Sequence, residues 1–319
     1  MAVPLVSILI PCYNAQRWLA ETLKSALAQT WANKELITVD DGSSDQSREI
    51  LKSFQQHGIK VIEQENRGAS AARNRALNQA QGEFIQFLDA DDLLSPDKIQ
   101  IQMNRLSEAD LGCLAFGAWG RFYDSPDNTR FVPESVWSDF SPVDWLVTSW
   151  SGGGMMASHS WLTPRHVIER AGEWDETPSP IDDGEFFTRV ILNSRKVLFC
   201  PLARSYYRSG LAGSWSQRRS HEMLAATLRS IELSTQNLLA VEDNVKTRRA
   251  CASHFQQFIY DTYPDNPDLL ARAEAKVALL GGSDYRLVGG GKVFRTLANT
   301  FGWKTAKQIQ SIKRKLSQN

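Results

Sequence analysis

The chain has 319 residues, 42% hydrophobic and 23% charged, which is enough to bury a sizeable core and too apolar for a disordered chain. Its 36 basic and 36 acidic residues cancel, and no nucleic-acid reading motif is present, so a nucleic-acid partner is not expected. It has no run of 18 apolar residues, and its four cysteines (Cys12, Cys113, Cys200, Cys251) form no CxxC pair, so neither a membrane span nor a zinc or disulfide framework is expected.

The first apolar run, residues 5–10, reads as a strand buried on both faces and ended by Pro11. It has no basic segment before it, so a secretory leader is not expected and a reducing cytosol suits the chain. Asn14 is placed to cap a helix over 15–29. A second strand over 36–39 ends in Asp40-Asp41-Gly42-Ser43-Ser44, and a helix follows over 45–56. A third strand, 60–62, leads through Asn66-Arg67-Gly68 into an alanine-rich helix. A fourth strand, 84–88, runs into Asp89, Asp91 and Asp92, and Ser95 and Pro96 are placed to start the next helix. This alternation predicts a parallel sheet covered by helices.

After residue 110 the pattern changes. A strand broken by glycines is expected over 111–123, then an irregular stretch over 124–160 rich in Trp, Pro, Ser and Gly. Irregular stretches of that length inside a domain are usually functional. Its tryptophans are expected to line an acceptor side or to pack in the core. From residue 221 the reading is helical, with breaks at 263–267, Gly281-Gly282 and Gly289-Gly290-Gly291. The domain reading is 1–220 as a catalytic unit, divided near residue 110 into a nucleotide-binding half and an acceptor half, with 221–319 as a helical extension.

In a parallel sheet the ends of strands one, two and four converge on one edge, where α/β folds bind ligands. Three acids in four positions repel one another and resist burial unless a cation joins them. Oxygen ligands of this kind suit Mg²⁺ or Mn²⁺, held by Asp89 and Asp91. Tyr13, beside Pro11, can stack on a base, Asp41 can accept from a base N–H, and Arg73 can add a cation for phosphate.

Four strings carry a family resemblance: Val6-Ser-Ile-Leu-Ile-Pro-Cys-Tyr-Asn14, Val39-Asp-Asp-Gly-Ser-Ser-Asp45, Asn66-Arg-Gly-Ala-Ser-Ala-Ala-Arg-Asn74 and Phe87-Leu-Asp-Ala-Asp-Asp92. Together they resemble family-2 inverting glycosyltransferases of the GT-A fold, closely over residues 4–110 and loosely to about 216. The resemblance implies a Rossmann-like, mostly parallel sheet flanked by helices and a non-processive transfer of one sugar. The donor would be a nucleotide sugar of UDP, dTDP or GDP type, and the acceptor a glycan or lipid-linked hydroxyl. It implies that Asp91 is the main metal ligand and that Asp41 meets the base, with Pro11, Tyr13, Arg73 and Asp89 around the donor. Gly172-Glu-Trp-Asp175 and Ile181-Asp-Asp-Gly-Glu-Phe-Phe-Thr-Arg189 resemble the family's base segment. They imply Asp183 as the general base, with Asp182 where Glu is commoner and Glu185 as the fallback. Arg208, Arg218 and Arg219 belong to a segment that in the family closes over the diphosphate.

Two other readings compete. The Asp-x-Asp string also fits a haloacid-dehalogenase-like, Mg²⁺-dependent phosphatase, but that nucleophile follows the first strand, and here three strand–helix units precede it. A non-catalytic sugar-nucleotide-binding protein would share most of these residues. Finally, from Arg286 onward the chain carries eight Lys and Arg and no acid. Phe294, Leu297, Phe301, Ile309, Ile312 and Leu316 recur at helical intervals among them. Such a helix suits the inner, anionic face of a plasma membrane, or docks on protein.

Overall fold

The computed structural model describes residues 3–177, 179–211, 219–285 and 291–316, apart from the side chains of 292, 293 and 314–316. Eight strands form one sheet: β1 Val6–Cys12, β2 Lys34–Asp41, β3 Lys60–Gln64, β4 Phe84–Phe87, β5 Leu93–Leu94, β6 Leu114–Phe122, β7 Trp161–Pro164 and β8 Val197–Arg208. Their order across the sheet is β3-β2-β1-β4-β7-β6-β8-β5. Strands β1 to β4 pair in parallel, as the alternating pattern predicts. β7 then runs antiparallel between β4 and β6, while β6 and β8 are parallel. Two reversals restore direction, so β6 ends on the same edge as β1, β2 and β4.

The helices of the first half are α1 Leu19–Leu27, α2 Ser47–Phe54, α3 Ala69–Leu77 and α4 Lys98–Ser107. After them come α5 Pro142–Thr148, α6 Arg165–Ala171 and α7 Asp182–Leu192, then α8 His221–Val241, α9 Val245–Thr262, α10 Pro267–Leu279, α11 Lys292–Phe301 and α12 Trp303–Leu316. The period-2 alternation of β1 divides the core. Ile8 and Ile10 join Leu19, Leu23, Met103 and Leu106 under α1 and α4. Leu9 points the other way, into a cluster with Ala72, Phe87, Trp119, Trp161 and Phe186 under α3, α5, α6 and α7. A third cluster binds α8, α9 and α10 together.

Several boundaries differ from expectation for identifiable reasons. β1 continues through Pro11, because its pairing with β4 stops at Leu9 and the missing proline N–H breaks no bond there. Asn14 does not cap α1. It holds φ 47° and its side chain accepts from the Ser44 amide at 2.8 Å, which ties the β1 end to the β2 end. Asp97, not Ser95, precedes α4. The stretch 124–160 is partly ordered, since Ser141 caps α5 by accepting from the Asp144 amide, and a π-type turn over Ser149–Gly153 follows. No helix among the described residues is long and apolar enough to cross a membrane.

Candidate active site

The carboxyl ends of β1, β2 and β4 meet on one edge as the sequence predicts, and the end of β8, which the sequence does not predict there, joins them. At the end of β2, Asp41 is buried and accepts from Gln64 Nε2, the Arg67 amide and the Gly68 amide, each at 2.8 Å. Gly42 turns the chain here with φ +78°, and a side chain would place its Cβ 2.9 Å from the Asn66 nitrogen. Asp41 thus pins the loop that starts α3, while a carboxylate keeps acceptor capacity for a further donor. Pro11 is buried in β1, and Tyr13, just beyond it, is 53% exposed. Asp40 turns away into an ion pair with Arg48 at 2.8 Å.

The loop after β4 is fastened from three sides. Thr22 Oγ1 of α1 donates to the Ala90 carbonyl at 3.0 Å. Arg208 Nε donates to the Asp91 carbonyl at 2.9 Å, and the Arg208 amide donates to Asp92 Oδ1 at 2.8 Å. His159 Nδ1 lies 2.9 Å from Asp92 Oδ2, with both groups fully buried. The Arg208 guanidinium lies 4.0 Å over Trp18 and pairs with Glu21 at 2.5 Å. It is 3% exposed, so it braces this loop rather than facing a leaving group.

Within the loop the three acids differ. Asp92 is inward, and its burial raises it despite His159 and the Arg208 amide. Asp89 is opposed by burial, yet Arg73, His159 and Ser158 together hold its carboxyl below the usual range. Asp91 is half-buried, and its carboxylate is eased by its own backbone amide and by the charge of Arg208 rather than by a paired side chain among the described residues. Burial, Asp92 and Asp89 push it up to about 8. No three His, Cys, Asp or Glu side chains among the described residues form a closed metal cage. An electrostatically disfavoured carboxylate at a strand end nevertheless fits a hard cation whose other ligands come from elsewhere.

On the opposite wall, α7 begins with Asp182 and Asp183. Its position is fixed by aromatic packing: Trp174 stacks on Phe186 at 4.0 Å, and Phe87 of β4 meets Trp174 edge-on at 5.1 Å. Such pairs contribute about 0.5–1.5 kcal/mol each beyond burial. Arg73 of α3 lies 4.5 Å over Trp174 and bridges the walls, donating to Asp182 Oδ2 and to Asp89 Oδ1, both at 2.8 Å. Burial opposes its charge, but Asp89 and Asp182 hold it more firmly protonated than usual. Ser70 adds a 2.9 Å bond to Asp182. Both Arg73 terminal nitrogens therefore orient carboxylates.

Asp182 is thus committed, and so is Glu185, which is held by Arg189 through bonds of 2.7 and 2.8 Å. Arg189 in turn clasps the Ala171 and Glu173 carbonyls. Among the described residues, Asp183 accepts from the neighbouring Gly184 amide alone, at 2.8 Å. Burial, then Asp182 and Asp89, push its carboxyl up to about 7 against the pull of Arg73. It is the acid of this segment left open and titrating near neutrality.

Arg218 lies outside the described residues. Ser158, which donates to Asp89 at 3.4 Å, and His159 carry no signal that sequence alone could read. Among the tryptophans of the irregular stretch, core packing prevails: Trp145 and Trp150 are 5% and 7% exposed, and half-buried Trp137 packs against Phe199 at 5.6 Å.

A family model described as glycosyl transferase family 2 matches residues 7–168. The glycosyltransferase GlyA of Streptococcus pneumoniae serotype 4 is 29% identical over 250 residues, 72% of this chain and 34% of that one. The chain's matches span 34%, 43% and 56% of the first three curated relatives. Among solved structures, S. aureus TarS 1–349 in complex with UDP-GlcNAc superposes with a TM-score of 0.69 at 19% identity, covering 84% of this chain and 79% of that one. The mannosyltransferase PcManGT of Pyrobaculum calidifontis, in complex with GDP-Man and Mn²⁺, gives 0.55 at 19% identity, covering 97% and 85%. These two likenesses establish the GT-A-type fold.

Proposed function

This chain belongs to glycosyl transferase family 2, and on that premise we propose that it moves one sugar, with inversion, from a nucleotide-sugar donor to a hydroxyl of a glycan or lipid-linked acceptor in surface polysaccharide synthesis. The observation that carries the reading is Asp183, an open carboxylate titrating near 7 across the cleft from the Asp89–Asp91 loop. A general base works best when its pKa lies near the working pH.

Asp183 takes the proton of the acceptor hydroxyl as its oxygen attacks the anomeric carbon from the face opposite the leaving diphosphate. Arg73, by bridging Asp182 and Asp89, keeps base and loop at a fixed separation. Asp91, with Asp89 beside it, would hold Mg²⁺ or Mn²⁺. That ion, when bound, would neutralise charge developing on the leaving diphosphate. Tyr13 offers a stacking face to the base. Asp41 can accept from an imide or ring N–H, so uracil, thymine and guanine suit it better than adenine. The donors in the TarS and PcManGT complexes carry UDP and GDP, which supports this range. The exposed basic end of the chain would dock the enzyme on an anionic membrane that presents the acceptor. The phosphatase alternative has no support in a chain of this family.

Asp183→Asn tests the mechanism directly. Turnover is expected to fall about 10²–10⁴-fold, the usual worth of a general base, while donor affinity measured by calorimetry stays within a factor of three or so. Turnover in Asp183→Asn equal to wild type would remove Asp183 as the base. Sugar transfer with retained anomeric configuration would remove the inverting mechanism.

A further inference from the structure

The mechanism makes no use of a pair of arginines at the end of β6. Topology places that end on the ligand edge, since β6 is parallel to β8 and, through β7, to β4. Arg121 is exposed, and its guanidinium lies 4.9 Å over Tyr207 and 5.2 Å over Trp119. One of its nitrogens donates to Ser209 Oγ at 3.1 Å. Trp119 belongs to the core cluster under α7, so Arg121 occupies the same face of the sheet as the helix whose first turn carries Asp183. A contiguous row joins it to the metal loop: Arg121 on Tyr207, Tyr207 stacked 6.1 Å from His159, and Ser158 bonded to Asp89.

Arg130 stands directly opposite Arg121 in an antiparallel bridge. Paired residues of a bridge share one face, and neighbouring Phe131 confirms the alternation by packing against Tyr206 on the other side. Two cations are thus set opposite one another, where like charges destabilise a strand pair. No described carboxylate pairs with either. Glu134 feels the charge of Arg121, but its carboxylate is held by the Met155 amide at 3.2 Å. A solvated surface cation has no need of two aromatic faces and a hydroxyl to fix its fork. A fixed guanidinium with a second one set opposite it, neither paired with a described carboxylate, suits a doubly bonded tetrahedral anion.

We propose that Arg121 and Arg130 bind a phosphate group of the acceptor, beyond the donor diphosphate on the acceptor side of the cleft. This rests on the glycosyltransferase reading and narrows its acceptor to a phosphate-bearing one. The phosphate is either the ester that links a sugar to its lipid carrier or a phosphodiester of a polyol chain.

The experiment is calorimetric titration of the full chain, preloaded with UDP, dTDP and GDP together with MgCl₂, so that the diphosphate site is filled whichever base it takes. The titrants are glucose 1-phosphate, glycerophosphoglycerol and, as neutral control, methyl glucoside. A phosphate ester binds and the glucoside does not; glucose 1-phosphate points to a lipid-linked sugar phosphate and glycerophosphoglycerol to a polyol chain. Arg121→Gln and Arg130→Gln each weaken the ester about tenfold, as expected for loss of one charge-assisted contact. Arg121→Lys weakens it less, and nucleotide affinity is unchanged in all three. Equal ester binding in wild type and variants overturns the proposal, as does absence of ester binding to the wild-type chain. Absence of nucleotide binding counts instead against the glycosyltransferase reading, because the ester titration is read independently of it.

Discussion

If Asp183 is the base, as proposed, it acts only when ionised, so its environment would set the pH at which the enzyme works. With its carboxyl near 7, kcat/KM should rise about tenfold per pH unit below that value and level off above it. Asp182 is one of the groups that raise it, so Asp182→Asn should move the limb to lower pH. A limb that stays put in Asp182→Asn would assign it to another group. Asp91 and Asp183 also link stability to pH. Both folded values, about 8 and about 7, lie above the unfolded value of about 3.9. The native state therefore binds more protons between them, and stability contributed by the protonated forms is lost as pH rises through that window. A divalent ion held by Asp91, as proposed, would relieve the charge where it is greatest. The thermal shift produced by Mg²⁺ with nucleoside diphosphate should be larger at pH 8 than at pH 6. Asp91→Asn should abolish that difference and itself raise the metal-free midpoint at pH 8 by roughly 2–4 °C, the effect of about 1 kcal/mol. Equal shifts at both pH values would exclude Asp91 as the ligand.

At the scale of elements, the sequence shows what each strand end carries but not how the ends are braced. The Asp-x-Asp string, the Asp40-Asp41-Gly42 turn and the Gly68 entry to α3 are local patterns, and local patterns are legible because one strand and one turn contain them. The braces join distant positions. Arg73 meets Asp182 across 109 residues, and Arg208 meets the Asp91 carbonyl across 117. Nothing in either string distinguishes a bridging arginine from a phosphate-binding one, and only burial among specific partners does. The tryptophans pose the same difficulty, since an aromatic face fits a sugar or a core equally well until its neighbours are known. If Arg208 fastens the metal loop, its planar fork is what matters. Arg208→Lys should lower unfolding stability by roughly 1–3 kcal/mol in urea titration, through lost hydrogen bonds that an ammonium cannot reproduce. It should also raise the metal concentration needed for half-maximal activity about tenfold, while the pH limb of Asp183 stays in place. An unchanged metal requirement would reduce Arg208 to a stabilising contact.

For the whole molecule, the protein-docked alternative for the basic end is partly realised, and the face it leaves exposed is what the membrane alternative would use. Gly302, at φ 82°, breaks the expected single face into α11 and α12. One side of α12 docks: Trp303 packs on Tyr260 and Tyr263, Ala306 is buried, and Lys304 pairs with Glu274 at 2.7 Å. The opposite side leaves Ile309 and Ile312 exposed at 44% and 59%, with Phe301 at 64% just before the break. Ile309 and Ile312 are one helical turn apart, so they form one patch, and Lys313 lies beside it. Burying such side chains in a lipid interface is worth about 1.5–3 kcal/mol each, and each nearby basic residue adds about 1 kcal/mol on an anionic surface. Docking of the first face fixes α12 on the protein, so the second face is presented without the ordering cost of a free tail. The full chain should therefore float with phosphatidylglycerol vesicles and not with phosphatidylcholine vesicles. The double variant Ile309→Asp, Ile312→Asp should remain at the bottom of the gradient while its nucleotide affinity and its thermal midpoint stay close to wild type, because both side chains are exposed. Flotation of that variant at wild-type levels would leave the patch without a membrane role and return the exposed isoleucines to contact with another protein.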